Sequence, residues 1–274
     1  MRARKLIGSV AAHAVLAGLA LLVAFPFVWM LLTALKSPAE ALAYPPQLFP
    51  ESPRWGNFPE AWQAAPFARY FGNTLLVAGS VLASVVATSL PAAYAFALLE
   101  FPGRRLLFGL YLATLMIPFE VVLIPNFVTV SQLGWYDTYW AMIVPWGASV
   151  FAVFLVTQSL RSLPRDYLEA AQLDGCGHLR FLWSVAAPLV RPALATAGLF
   201  AFLGSWNALL WPLLVTQTEA IRPIEVGLQV FLADQAMRPH LLMAASTLAM
   251  LPVLLLFLLA QRTFIEGVTA GIKG

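Results

Sequence analysis

Charged residues are scarce in this chain. Only 11% of its 274 residues carry charge while 61% are hydrophobic, and the mean hydropathy is +0.80. A soluble domain carries about a quarter charged residues, so a water-facing globule is excluded and the bilayer becomes the solvent. Cysteine is nearly absent. The single Cys176 rules out an intrachain disulfide and a cysteine-cluster metal site, and reads as a surface thiol. The three histidines, His13, His178 and His240, are far apart, and the ionisable groups form no nucleophile–base cluster. No GxxxxGK[ST] phosphate loop occurs, so the chain cannot itself be an ATPase. Basic residues are dispersed and form no stripe with aromatic readers, which argues against nucleic acid as a partner. Internal repeats and low-complexity tracts are lacking as well.

What the sequence does hold is long charge-poor runs. Residues 12–35 contain only His13 among ionisable groups, and 74–99 contain none. Residues 106–131 are interrupted once, by Glu120, while 138–160, 192–218 and 241–261 are uncharged. Each run can cross a hydrocarbon core of about 30 Å, which needs roughly 20 helical residues. The expectation is an all-α membrane protein, one domain over residues 1–274, with six transmembrane helices. The first run is too long and too late for a cleaved signal peptide, so it is expected to remain as a helix. The 20 prolines and 17 glycines suit such a bundle, where neighbouring helices re-satisfy backbone groups freed by a break.

Six spans put both termini on one side. That side holds Arg2, Arg4, Lys5, Arg104, Arg105, Arg161, Arg165, Arg180, Arg191, Arg262 and Lys273, eleven of the 16 basic residues. Lys36, Arg54, Arg69, Arg222 and Arg238 fall opposite. Basic loops favour the cytoplasm, so both termini are expected there.

The loops differ in character. Residues 37–73 carry Pro45, Pro46, Pro50, Pro53 and Pro59 among Trp55, Phe58, Trp62, Phe67, Tyr70 and Phe71. Proline excludes a continuous helix, and the aromatics suit an interfacial cap or a docking face for an external protein. Residues 101–105 read as a tight hairpin with a basic anchor. Span three, with Pro118, Glu120 and Pro125, is expected to kink. Residues 133–138 form an external turn, and 217–240 are expected to include a short interfacial helix.

From 163 to 188 the chain turns polar. Pro164 suits a helix start, and Asp166 and Glu169 would face the positive end of the dipole. Ala170 and Ala171 favour helix with little bulk, which lets a backbone approach a partner closely. Gly175 and Gly177 permit a sharp turn. Leu179, Phe181, Leu182 and Trp183 would begin a second, apolar-facing helix, and Pro188 and Pro192 lead into span five.

Glu169-Ala170-Ala171 is followed after three residues by Gly175, and nine residues later by Val185-Ala186-Ala187-Pro188. This spacing resembles the EAA signature of permease subunits in binding-protein-dependent ABC importers. Residues 133–138 (LGWYDT) before Val144-Pro145, the pair Trp206-Asn207, and the tail 264–274 are similar to the family's sugar-transporting, MalG-like branch. Two departures stand out: Ala187 replaces the usual leucine, and the tail is one residue short before Lys273-Gly274. The resemblance implies a type I ABC importer permease architecture in the inner membrane and a transport subunit rather than an enzyme. It implies that loop 163–188 is a cytoplasmic coupling helix, with Glu169, Ala170, Ala171, Asp174, Gly175 and Pro188 facing an ATPase subunit. The tail residues Gly267, Thr269, Gly271 and Lys273 would reach the ATPases. The implied partners are a second permease subunit, two ATPase subunits that bind ATP and Mg, and an external solute-binding protein. No cofactor is implied in this chain.

Candidates for solute contact are few. Trp206 and Asn207 fall near the middle of span five, where a tryptophan is more often packing than ligand and the Asn207 amide is the better candidate, with a neighbouring helix equally able to be its partner. Glu120, the one carboxylate well inside a span, is a functional candidate by its cost in hydrocarbon, or a partner for backbone freed by its flanking prolines. A sugar or sugar-like solute leads; amino acids, peptides, phosphate or glycerol phosphate would use the same loop. An ion-coupled secondary transporter would need intramembrane carboxylates or inverted repeats, for which Glu120 alone is thin support.

Overall fold

The computed structural model describes residues 2–164, 166–233 and 238–270, which are helical with no strand among them. In chain order the helices are α1 (Arg2–Ala34), α2 (Pro38–Ala41), α3 (Asn57–Gln63), α4 (Phe67–Leu98), α5 (Arg104–Ala113), α6 (Phe119–Gln132), α7 (Tyr139–Ile143) and α8 (Val150–Arg161). They continue as α9 (Asp166–Leu173), α10 (His178–Phe181), α11 (Ala187–Leu189), α12 (Arg191–Trp206), α13 (Leu210–Val215), α14 (Ile224–Gly227), α15 (Val230–Ala233) and α16 (Pro239–Ala270).

Four segments are long and apolar enough to cross a membrane: Ala12–Ala34, Phe67–Leu98, Tyr139–Arg161 and Pro239–Leu258. Two bent pairs raise the number to six if each is one span: Arg104–Met116 with Phe119–Gln132, at 98°, and His178–Leu189 with Arg191–Trp206, at 81°. The first bend falls at Ile117-Pro118, where proline removes a ladder donor and crowds the preceding turn. Pro125, also expected to kink, sits inside α6 without ending it. Span five departs further from expectation. Instead of one helix over 192–218, α12 stops at Trp206 and α13 restarts at Leu210. Pro212 cannot donate to residue 208, and its ring opposes continuous helix there. Sixteen residues of α12 reach only about 24 Å, short of the hydrocarbon core.

The chain divides into two compact units, Met1–Phe67 with Leu228–Leu251, and Ala68–Gly227 with Pro252–Gly274. In the first, the polar segment after α1 is ordered by a capping box. The Ser37 hydroxyl accepts the Glu40 N–H at 3.3 Å, and Glu40 accepts the N–H groups of Ser37 and Glu51, each at 2.7 Å. Asn57 donates to the carbonyls of Ala34 and Lys36, both at 2.8 Å. The rings of Phe67 and Phe231 stack at 5.8 Å.

The second unit carries two apolar clusters. Val77, Val81, Val85, Met142, Ala197 and Trp211 belong to one, and Leu90, Tyr94, Val156, Leu160, Phe181 and Leu182 to the other. α4 supplies residues to both at helical spacing, so a single helix of 32 residues, with Pro91 inside it, joins them. Its final carbonyls are capped from outside the helix: Arg161 donates to Phe96 at 3.2 Å and Arg104 to Leu99 at 2.7 Å. Cations suit that end of the dipole.

Candidate functional site

Loop 163–188 folds as a short helix, a turn and a second helical segment. Asp166 and Glu169 occupy the first turn of α9. The helix ends in a Schellman motif: the Cys176 N–H donates to the Ala171 carbonyl at 2.8 Å and the Gly175 N–H to Gln172 at 3.0 Å. Gly175 holds φ +71° with nothing within 4 Å of where a Cβ would sit, so the demand for glycine there is conformational and not steric. Gly177, also expected to turn the chain, is extended at φ −72° and precedes α10.

One face of this loop rests on the protein and the other is open. Leu168, Ala171 and Cys176 pack against the cluster that holds Leu90, Tyr94 and Phe181. Tyr167, Glu169, Ala170 and Leu173 are exposed, Leu173 by 89%. Leu179 and Trp183, expected on the apolar side, are 76% and 54% exposed, whereas Phe181 and Leu182 are buried. A π-helical turn at Leu182–Ala186 comes immediately before Pro188, whose missing N–H interrupts the regular ladder. The result is an outward surface of small, acidic and large apolar side chains on a locally stable frame.

At the other end of α4 lies a cavity of about 500 Å³. Val77, Val81 and Val85 of α4 wall one side, and Ala197, Ala201, Gly204, Ser205 and Ala208 another. Phe119, Trp146 and Trp211 close it, with the Phe119 ring 5.1 Å from Trp146 and 6.4 Å from Trp211. The Trp211 indole N–H donates to the Ala141 carbonyl at 2.9 Å, which satisfies its polar atom and fixes its ring. The small-residue face of α12 was readable as a spacing of four, but the expectation of one continuous span concealed it.

The solute candidates scatter. Trp206 is 2% exposed, at the end of α12, and packs 5.4 Å from Phe202 and 6.3 Å from Phe71; it does not line the cavity. Asn207 caps α12 through its backbone N–H and its side chain is exposed. Glu120 is exposed in the first turn of α6, beside Phe119, immediately after the 98° bend. Gly267 and Thr269 lie in the last turns of α16, while Gly271 and Lys273 lie outside the described residues.

The LGWYDT turn has a structural role that its spacing alone did not disclose. Gly134 at φ +69° closes α6 with a second Schellman motif, Trp135 N–H to Val130 at 3.0 Å. Asp137 accepts the N–H groups of Gln217 and Thr218 at 2.7 and 3.0 Å. Burial pushes the Asp137 carboxyl up, but these backbone donors outweigh it and hold the pKa below the ordinary value. Asn73 adds a second tie to the same segment, donating to Ala220 and Arg222 carbonyls at 3.0 and 2.9 Å while accepting from the Tyr139 hydroxyl at 2.7 Å.

The chain belongs to the family described as binding-protein-dependent transport system inner membrane component, which matches residues 79–269. It is 31% identical over 255 residues to the sn-glycerol-3-phosphate transport system permease protein UgpE of Yersinia enterocolitica, covering 90% of this chain and 91% of that one. It is 32% identical over 253 residues to the sulfoquinovosyl glycerol transport system permease protein SmoH of Agrobacterium fabrum, covering 91% and 89%. Over 263 residues it is 33% identical to the diacetylchitobiose uptake system permease protein NgcG of Streptomyces coelicolor, covering 94% and 87%. Its fold matches a chain of a bacterial ABC transporter involved in import of the acidic polysaccharide alginate, with TM-score 0.83, 22% identity, and 96% and 98% of the two chains covered.

Proposed function

We propose that this member of the inner membrane component family is the permease subunit of an ATP-driven importer for a sugar or sugar-like solute. The observation that carries the reading is loop 163–188, an EAA-spaced helix with a supported inner face and an exposed outer one. Glu169, Ala170 and Leu173 form the surface that enters an ATPase cleft, Ala171 backs it against the protein's own apolar cluster, Asp174 and Gly175 end the helix, and Pro188 leads the chain back toward the membrane. ATP and Mg belong to two separate ATPase subunits. A second permease completes the pathway, and an external binding protein delivers the solute, with both termini of this chain in the cytoplasm. The tail residues Gly267, Thr269, Gly271 and Lys273 are assigned to contact with the ATPases on the family resemblance alone.

On the solute side, Glu120 and Asn207 are the polar groups offered to the pathway, because a carboxylate directed at lipid is expensive. Trp206 serves packing. The glycan and glycerol-linked cargoes in the relatives' names support a polyhydroxylated solute.

The test is transport by the whole complex. Gly175→Arg is expected to leave the chain inserted and to reduce uptake per ATP hydrolysed, whereas Gly175→Asn, which tolerates positive φ, keeps most of it. Uptake by Gly175→Arg equal to wild type would sink the coupling role. The binding protein encoded with the complex is then titrated with neutral oligosaccharides and with sn-glycerol-3-phosphate. Binding of the phosphate alone would move the solute class away from sugars.

A further inference from the structure

Tyr94 is where the loop meets a spanning helix. Its side chain is 4% exposed, and its ring lies 6.1 Å from Phe181 and 6.0 Å from the His178 imidazole. Its hydroxyl is hydrogen-bonded to His178 Nδ1 at 2.7 Å. Among the described residues this is the one side-chain hydrogen bond that ties residues 166–190 to a spanning helix. Leu168, Ala171 and Phe181 also join the apolar cluster that holds Leu90 and Ala93. Apolar contacts are non-directional and allow one surface to slip over another. A hydrogen bond constrains both distance and angle. Further along the same helix, past Pro91, Val77, Val81 and Val85 wall the cavity.

The geometry points to Tyr94 and His178 as positioning residues for coupling. Their bond fixes the register of the loop on α4, so that a displacement of the loop is carried to the cavity wall and not lost as sliding. This rests on the coupling reading above.

The experiment uses the whole transporter, purified with its partner permease and ATPase subunits. In this chain Cys176→Ser removes the native thiol and Ser205→Cys places a reporter in the cavity. Maleimide labelling of this chain is compared with and without ATP and vanadate. In Tyr94→Phe and His178→Ala, the nucleotide-dependent change in labelling is expected to shrink about fivefold or more while the ATPase subunits still co-purify. The double variant should be no worse than either single one. His178→Asn, whose amide can meet the Tyr94 hydroxyl, should restore the response; a purely structural loss would instead lower yield and leave the response of surviving complexes intact. Should Tyr94→Phe fail to assemble, the exposed His178 decides through its own two variants. An unaltered response in His178→Ala overturns the latch. If Gly175→Arg also retains the response, the coupling reading itself falls; if Gly175→Arg abolishes it, only the latch is lost.

Discussion

Two glycines carry opposite demands. Gly175 has open space around it but a backbone angle that other residues adopt at a cost of about 1–2 kcal/mol. Gly227 has an ordinary angle but no space: a Cβ there would lie 2.3 Å from Cδ2 and 2.6 Å from Cε2 of Tyr70. Tyr70 is 2% exposed, so its ring cannot swing into solvent to make room. Gly227→Ala is therefore expected to destabilise the chain by about 1–3 kcal/mol, the usual cost of overpacking. Thermal unfolding in detergent measures this, and the same variant paired with Tyr70→Leu should recover part of the loss. A midpoint unmoved in Gly227→Ala would show that Tyr70 yields freely. Neither demand follows from the other, and only the first had a signature in the sequence: Gly175 falls just past an alanine-rich helix, where a left-handed cap is common.

Among the short helices, α2 depends on a polar side-chain cap. α2, four residues long, persists because Glu40 closes a capping box and also receives the Glu51 N–H. The Ser37 side chain, with the Glu51 and Ser37 amides, holds the Glu40 pKa at about 2 against an ordinary 4.5. A carboxyl with a depressed folded pKa stabilises fully above its unfolded value. Its contribution is lost as pH falls from 4.5 through about 2. Hydrogen exchange at the Glu51 amide should follow that window, with protection kept at neutral pH, whereas Glu40→Gln should show weaker protection at every pH. Equal exchange in the two proteins would discount the cap. Caps of this kind depend on a few side chains meeting in space, and composition does not register them. Charge-poor runs located the long helices, because exclusion of charge from hydrocarbon is a per-residue penalty that accumulates. Helix α4 nevertheless begins at Phe67, seven residues before its uncharged run, with Arg69 inside it. The break at Asn207 depends on Pro212 and on where α13 packs, and neither is a property of composition.

Across the whole molecule, the orientation proposed above rests on the placement of basic residues. Ala3→Cys in a Cys176→Ser background should react with a membrane-impermeant thiol reagent only in inverted vesicles, and Ser52→Cys, in the segment after α2, only in right-side-out ones. Labelling in the reverse pattern would invert the topology and remove the loop from the ATPase side. The helix and turn of loop 163–188 were legible because their signals are local, whereas the cavity was not, because its walls come from α4, α12 and the aromatics Phe119, Trp146 and Trp211, distant in sequence. That cavity carries one more implication. None of the side chains lining it can take up or release a proton near neutral pH. Proton relays through membranes run along acids and histidines, and small ions meet a steep barrier in apolar constrictions. In the transport role proposed above, a chamber walled in this way gives hydronium and sodium no foothold of its own, so passage of a polyhydroxylated cargo through it does not short-circuit the gradient stored across the membrane.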